Sequence, residues 1–304
     1  MSNPPEAEKA CGFVALIGPP NAGKSTLINR LVGTKVSIVS RKVQTTRSIV
    51  RGIALEGSAQ IIFLDTPGIF TPKRRLDRAM VGAAWSSTGD ADVVALLIDA
   101  QKGADAETEA ILAKLAQISA QKILILNKID RIETGNLLTL TAELNRRLPF
   151  AQTFMISALR GHGVEKLIEV LGKLMPKGPW LYPEDQISDM PLRLLAAEIT
   201  REKIFERLHD ELPYASTVET ELWKELKDQS VRIEQTIYVK REAHKKIVIG
   251  EGGRTLKSIS MAARKDIEEA ADQKVHLFLF VKVRENWSDD PKHYREMGPE
   301  FPRE

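Results

Sequence analysis

The chain has 304 residues, 43% of them apolar, and a formal net charge of +3. This length predicts about two domains of roughly 150 residues each. The apolar share is enough for each domain to form a hydrophobic core. A single cysteine excludes an internal disulfide framework, and no apolar run approaches the roughly 20 residues that span a bilayer. The polar N-terminus lacks the apolar segment of a secretory signal, so we expect a cytoplasmic protein.

The first half of the chain alternates short apolar runs with amphipathic stretches. Buried parallel strands are predicted at 12–17, 61–64, 93–98, 122–126 and 153–156, and helices at 105–117, 139–148 and 164–174. Strands that alternate with helices predict crossover units and a mostly parallel sheet covered on both faces.

A glycine-rich run, GPPNAGKS at 18–25, follows the first predicted strand and opens a helix. It fits the pattern G-x-x-x-x-G-K-[ST], whose backbone N–H groups point at phosphate oxygens. Lys24 would add a cation at the β and γ oxygens, and the hydroxyl of Ser25 would ligate Mg²⁺. The predicted phosphate loop consists of Gly18, Pro19, Pro20, Asn21, Ala22, Gly23, Lys24, Ser25 and Thr26.

The motif DTPG at 65–68 ends the strand at 61–64. Asp65 would hold Mg²⁺ through a water, and the amide of Gly68 would face the γ-phosphate. Thr66 and Pro67 complete this part of the predicted nucleotide site. The next residue is Ile69, where Ras-like GTPases carry the Gln that orients the attacking water. An isoleucine cannot orient a water, so another group must do so or hydrolysis is absent.

Two further motifs indicate recognition of a guanine base. NKID at 127–130 follows the strand at 122–126, and the carboxylate of Asp130 can accept hydrogens from guanine N1 and N2. Adenine lacks that pair and would leave the carboxylate unpaired. Asn127 and Lys128 would brace this loop and cover the base. In the motif SAL, which follows the strand at 153–156, the amide of Ala158 would reach guanine O6; the predicted contacts here are Ser157, Ala158 and Leu159.

The loop VSRKVQTTRSIV lies between the first helix and the next strand, and it should supply a threonine to the metal. Thr46 is our choice, with Thr45 as the alternative. We expect this loop and residues 68–85 to switch between ordered and disordered states with the bound nucleotide, because only a triphosphate offers a ligand to both segments. The predicted metal ligands are therefore Ser25, Thr46 and Asp65.

A linker and a second, smaller α+β domain are predicted beyond the nucleotide motifs. Four prolines between residues 175 and 191 break the alternating pattern, and we place the linker at 179–191. A helix at 192–210, strands at 216–222 and 230–239, a helix at 255–270 and a strand at 275–283 follow. This order predicts a domain at 192–287 and a polar tail at 288–304.

The second domain contains VIGEGGRTLKSI, a glycine loop that we expect after a strand and before a helix. G-x-x-G loops of this kind clamp a single-stranded RNA backbone in KH modules. Basic residues flank the loop, whereas Glu251 places a negative charge at its tip. We predict RNA contacts from Lys245, Lys246, Gly250, Glu251, Gly252, Gly253, Arg254 and Lys257.

Together with QTTR, PWLYPEDQISD and REKIFERLHDELPY, these motifs resemble the Era family of P-loop GTPases. The resemblance covers about residues 12–287. It implies a Ras-like G domain at 1–178, followed by a type II KH domain. It also implies binding near the 3′ end of small-subunit (16S) ribosomal RNA, a role in assembly of the 30S subunit, and peripheral association with the inner membrane.

The resemblance bears on catalysis too, because family members carry an apolar residue after DTPG. Several relatives with an asparagine in the phosphate loop recruit K⁺ beside the phosphates, and Asn21 matches that position. We therefore expect GTP or GDP, Mg²⁺ and K⁺ as ligands, slow turnover, and catalytic roles for Asn21, Lys24, Thr46 and Gly68. A monomer without DNA binding is expected. The alternative is an RNA-binding assembly factor whose G domain is a nucleotide-stabilised scaffold with negligible turnover.

Overall fold

The computed structural model describes residues 8–209 and 211–287, so the predicted tail at 288–304 lies outside the described residues. The described chain forms two compact units. The first contains residues 8–37 and 46–189, and the second contains residues 38–45, 190–209 and 211–287. No helix within the described residues is long and apolar enough to cross a membrane.

The first unit is built on a six-stranded sheet. Its strands are β1 (Ala10–Ile17), β2 (Val50–Glu56), β3 (Ala59–Asp65), β4 (Val93–Asp99), β5 (Gln121–Asn127) and β6 (Gln152–Met155). The strand order is β2-β3-β1-β4-β5-β6, and every pairing is parallel except that of β2 with β3. The central strands β3 and β4 are buried along their whole length, as expected for strands covered on both faces. The predicted Ras-like, mostly parallel sheet is confirmed.

Five helices cover this sheet: α1 (Lys24–Val32), α2 (Arg75–Ser86), α3 (Ala106–Leu115), α4 (Thr134–Arg147) and α5 (Val164–Leu174). We did not predict α2, and most of the segment 68–85, which we treated as a loop, is helical. The cause is local: the carboxylate of Asp77 accepts hydrogen bonds from the backbone amides of Lys73 and Arg74, at 3.1 and 2.9 Å. These bonds satisfy donors at a helix N-terminus and place an acidic group there.

Most of the predicted linker, 179–191, lies along the edge of the first unit. Gln60 is fully buried, and its side chain donates to the carbonyl of Tyr182 at 2.8 Å and accepts from the Tyr182 amide at 3.0 Å. The amide of Ile53, in the edge strand β2, donates to the carbonyl of Ile187 at 2.9 Å. The segment thus supplies hydrogen bonds that the edge strand would otherwise lack.

The second unit contains α6 (Leu192–Arg207), β7 (Ser216–Glu225), β8 (Val231–Val239), α7 (Glu242–Ile249), α8 (Arg254–Ala271) and β9 (Val275–Val283). Its sheet has the order β7-β8-β9, with β7 antiparallel and β9 parallel to β8. Apolar side chains of α6, α7, α8 and the sheet share one core. The smaller α+β domain of KH type is confirmed. We did not predict α7, which lies between β8 and the glycine loop.

Candidate functional site

The phosphate loop joins β1 to α1 and encloses the side chain of Lys24. The ammonium group is buried and donates to the carbonyls of Gly18 and Pro19, at 3.0 and 3.1 Å. Burial lowers the pKa of Lys24 to about 8, and the charge of Asp65 acts in the opposite direction. A phosphate anion in this loop would favour the charged ammonium further.

The three predicted metal ligands lie together at the end of β3. The hydroxyl of Ser25 donates to Asp65 Oδ2 at 2.7 Å and lies 2.9 Å from the hydroxyl of Thr46. Asp65 Oδ1 is buried and accepts no hydrogen bond from any residue in the described part of the chain. Burial raises the pKa of Asp65, against the hydrogen bonds from Ser37 and Ser25. A buried carboxylate oxygen without a donor, beside two hydroxyls, fits Mg²⁺, which prefers oxygen ligands.

The two threonines considered as metal ligands have different surroundings. Thr46 belongs to the first unit with Ser25, whereas Thr45 belongs to the second unit, where its carbonyl accepts a hydrogen bond from Arg201 at 2.6 Å. The geometry therefore favours Thr46 as the metal ligand, which stays a prediction. Our sequence analysis missed Ser37, whose buried hydroxyl donates to Asp65 Oδ2 at 2.7 Å. No motif contains Ser37, so no local signal pointed to it.

Ile69 is a core residue. Its side chain is buried in the main hydrophobic cluster of the first unit, and its amide donates to the carbonyl of Gly18 at 3.0 Å. The side chain that follows DTPG therefore packs away from solvent and cannot position a water. The preceding Gly68 lies against the phosphate loop: a Cβ added there would be 2.9 Å from the Cα of Pro20. Gly68 and Ile69 thus keep the DTPG segment in contact with the phosphate loop through backbone atoms.

The NKID motif is tied to the phosphate loop by side chains. Asn127 Nδ2 donates to the carbonyl of Ala22 at 2.8 Å, and the ammonium of Lys128 donates to the carbonyl of Asn21 at 2.7 Å. That ammonium also pairs with Asp99 Oδ2 at 2.6 Å. Lys128 has a φ of 66°, a left-handed conformation that costs energy outside glycine, so these contacts hold a strained residue.

Asp99 is a second residue that our sequence analysis missed. It ends β4 and lies in register with Asn127 at the end of β5. The carboxyl ends of parallel strands meet at one edge of the sheet, where open sheets bind ligands. This position is the signal that could have identified Asp99, because all four nucleotide motifs lie at the carboxyl ends of strands in the same sheet.

Asp130 and the SAL motif meet at the expected base site. Ser157 donates through its hydroxyl to Asp130 Oδ1 at 2.6 Å, and this bond, the largest cause, lowers the pKa of Asp130. The carboxylate thus stays ionised and able to accept from guanine. The amide of Ala158, which we assigned to guanine O6, donates to Asn127 Oδ1 at 2.9 Å. A contact with O6 would have to share that donor or use the amide of the exposed Leu159.

The glycine loop of the second unit has the bare backbone that its sequence predicts. Gly250 has a φ of 73°, and a Cβ added there would lie 2.2 Å from the Thr255 hydroxyl oxygen, so a side chain does not fit. Glu251 pairs with Arg254 at 2.9 Å. Both side chains are exposed, so the pair contributes little to stability, but it offsets the negative charge that we noted at the loop tip.

The predicted RNA-contacting cations surround this loop. Lys246 lies on α7, and Arg254 and Lys257 lie on α8; all three are exposed, whereas Lys245 is half-buried. Their charges can therefore reach a phosphate backbone that runs past the glycine loop.

Comparison with known proteins gives matches to both units. Residues 13–128 match the family model described as "50S ribosome-binding GTPase", and residues 211–288 match the KH domain model. GTPase Era of Bradyrhizobium sp. is 63% identical over 300 residues, covering 99% of this chain and 97% of the relative. GTPase Era of Rhizobium meliloti is 63% identical over 292 residues, covering 96% of this chain and 93% of the relative.

Two solved structures align with both units. A point variant of Aquifex aeolicus Era bound to GDP·AlF₄⁻ has a TM-score of 0.90 and 41% identity, covering 95% of this chain and 99% of that one. A structure of Era in complex with MgGDPNP and nucleotides 1506–1542 of 16S ribosomal RNA gives the same TM-score, identity and coverage. The relatives match across the G unit, the KH unit and the residues that join them, so the chain belongs to the Era family of GTPases.

Proposed function

We propose that this chain binds GTP, hydrolyses it slowly, and binds single-stranded RNA near the 3′ end of small-subunit ribosomal RNA during assembly of the 30S subunit. The RNA part is supported by the Era structure with 16S nucleotides, which is 41% identical across both units. The nucleotide part rests on one observation: the NKID loop that carries Asp130 is bound to a complete phosphate loop through the side chains of Asn127 and Lys128.

Different residues of the site bind the base and the phosphates. Asp130 accepts hydrogens from guanine N1 and N2, which excludes adenine. Lys24 and the backbone amides of the phosphate loop bind the β and γ oxygens. Ser25, Thr46 and Asp65 would hold Mg²⁺, which offsets the negative charge of the phosphates when it is bound. Binding is tested by titrating GDP, GTP and ATP into the protein with Mg²⁺; equal affinities would contradict guanine recognition.

We propose that hydrolysis rests on backbone groups, Mg²⁺ and K⁺, and that backbone or a bound partner positions the attacking water. Ile69 is in the core, so the groups of this chain that remain are the amide of Gly68 and a potassium ion held beside Asn21. Such a cation would offset charge that develops in the transition state. GTP hydrolysis should be compared in KCl and in NaCl, for the wild type and for Asn21→Ala. Identical rates under all four conditions would contradict the potassium proposal.

A second candidate function is an RNA-binding assembly factor whose G domain is only a nucleotide-stabilised scaffold. The burial of Ile69 favours it, because no side chain after DTPG can act on water. Phosphate release should be measured in single turnover, with and without small ribosomal subunits. Release that the subunits accelerate supports a GTPase that acts as a timer, whereas negligible release in both cases supports the scaffold.

RNA binding can be tested against nucleotide state. An oligonucleotide with the 3′-terminal sequence of small-subunit RNA should be crosslinked to the protein with a GTP analogue and with GDP. A difference between the two states supports coupling of the nucleotide to RNA binding. Affinity that is unchanged after substitution of both Gly250 and Gly253 would show that another surface binds the RNA.

We also propose that the protein is a cytoplasmic monomer whose contact with the inner membrane is peripheral. The basic run Lys73–Arg75 ends at the first residue of α2, and its first two residues are exposed, which suits anionic headgroups. In a flotation assay at low salt, vesicles that contain anionic lipid should carry the protein upward. Replacing Lys73, Arg74 and Arg75 by Ser should abolish this association with the vesicles. Light scattering at several protein concentrations tests whether the protein is a monomer.

A further inference from the structure

Arg30 connects the first helix to the loop that recognises the base. It lies in the last turn of α1, the helix that begins with Lys24 at the phosphate loop. Its guanidinium donates through Nη2 to the carbonyl of Leu159 at 2.6 Å and through Nε to the carbonyl of Ala158 at 3.3 Å. Two consecutive carbonyls are thus held by one planar group, an arrangement that suits Arg better than Lys.

The loop that Arg30 holds carries two of the contacts that shape the base site. Ser157 donates to the carboxylate of Asp130, and the amide of Ala158 donates to the side chain of Asn127. The loop then curls back tightly, since the amide of Gly161 donates to the carbonyl of Ser157 at 2.7 Å. Loosening the two carbonyls would therefore loosen the groups that orient Asp130 and Asn127.

We infer that Arg30 is a positioning residue for guanine recognition: it fixes the SAL loop to the helix that also carries the phosphate-binding lysine. The inference rests on the proposed base site. One helix then sets both ends of the nucleotide site, with Lys24 in its first turn and Arg30 in its last. In this role Arg30 touches neither the base nor the phosphates.

The Arg30→Ala variant should release GDP about three- to tenfold faster than the wild type, because charged hydrogen bonds are lost from a partly exposed site. The association rate should stay unchanged, since affinity changes within one site lie mostly in dissociation. The KM for GTP should rise by a similar factor. The single-turnover hydrolysis rate at saturating GTP should not change, because the phosphate groups and their ligands are untouched.

Two further variants separate positioning from a general structural effect. Arg30→Lys can reach one carbonyl but not grip both, so its GDP release should be intermediate. Arg146→Ala is the matched control: Arg146 is an exposed arginine on α4 that donates to Ala142 of its own helix, at 3.3 Å. It should release GDP at the wild-type rate. Thermal unfolding of all variants shows that each is folded under the conditions of the assay.

The outcomes distinguish this inference from the proposed base site. If Asp130→Asn leaves the preference for GTP over XTP unchanged, the proposed base site is wrong. If Asp130→Asn changes that preference but Arg30→Ala releases GDP at the wild-type rate, the base site stands and the role of Arg30 is wrong. A fall in the saturated single-turnover rate of Arg30→Ala, together with faster GDP release, would also overturn the inference, because a positioning effect confined to the base leaves that rate unchanged.

Discussion

Replacing Asp99 by asparagine should weaken the binding of guanine nucleotides by about five- to tenfold. Asp99 ends β4, and its carboxylate pairs with the ammonium of Lys128 at 2.6 Å. That ammonium also donates to the carbonyl of Asn21, in the phosphate loop. The asparagine keeps the shape of the side chain but removes its charge, so the left-handed backbone of Lys128 loses one of the contacts that hold it.

The size of the effect follows from the exposure of the two partners. The side chain of Asp99 is 8% exposed and that of Lys128 is 25% exposed, so water can partly replace the lost carboxylate. A hydrogen bond to a charged group contributes about 1.5–3 kcal/mol, and partial exposure places this pair at or below the lower limit. A loss of about 1–1.4 kcal/mol corresponds to a factor of about five to ten in affinity.

Stopped-flow fluorescence with a labelled GDP measures this directly. The dissociation rate should rise by that factor in Asp99→Asn, with little change in association. Asp90→Asn, at an exposed position before β4, serves as the control and should behave like the wild type. A dissociation rate of Asp99→Asn within about twofold of the wild type, in a protein that unfolds at the same temperature, would refute the role given to this pair.

Three further predictions address the metal, the base and the RNA. Thr46→Ala should raise the Mg²⁺ concentration needed for half-maximal GTP hydrolysis by about tenfold, since the hydroxyl that we propose as a metal ligand, 2.9 Å from that of Ser25, is lost. An unchanged requirement would exclude Thr46 as a ligand. The Ser157 hydroxyl lowers the pKa of Asp130, so GDP binding should be retained as the pH falls until that pKa is reached. In Ser157→Ala, GDP binding should be lost at a higher pH. Coincident pH profiles of GDP affinity for the two proteins would contradict this. Gly250→Ala should weaken RNA binding and lower the unfolding temperature, because its Cβ would lie 2.2 Å from the Thr255 hydroxyl oxygen. Gly252 has a φ of 59° and open space around it, so Gly252→Asn should weaken RNA binding alone. Equal unfolding temperatures for the two variants would contradict the packing argument.

The motifs of the nucleotide site could be predicted because each follows a strand that is itself readable from sequence. The apolar runs before Asp65 and Asn127 are long, β-branched and buried, which fixes where those strands end. Parallel strands place their carboxyl ends at one edge, so residues from separate motifs become neighbours. The approach of Ser25 to Asp65 follows from that arrangement alone.

Ser37, Asp99 and Arg30 could not be predicted in the same way. Each acts through contacts with residues distant in the chain, one contact for Ser37 and Asp99 and two for Arg30, and no local pattern distinguishes them from ordinary polar residues. Their roles depend on where the folded backbone brings their side chains, which a single sequence does not encode as a motif. Only Asp99 had a usable signal, since it stands at the end of a strand next to that of Asn127.

The two helices that we did not predict have different causes. The helix α2 depends on a local cap from Asp77, and its sequence, RLDRAMVGAAWS, is only weakly patterned because small residues and a glycine interrupt its apolar face. The helix α7 contains the β-branched run Ile247–Ile249, which favours a strand by propensity. Val248 is fully buried in the core of the second unit, so tertiary packing outweighs that preference.

The residues beyond α5 determine where the first unit can be separated from the rest. A recombinant fragment that stops shortly after Leu174 would lose the hydrogen bonds of Gln60 with Leu181 and Tyr182, and the edge strand would lose the antiparallel bridge between Gly52 and Ser188. A bare edge strand invites pairing with another molecule. Fragments that end at Asp189 should therefore stay dispersed at concentrations where shorter ones precipitate.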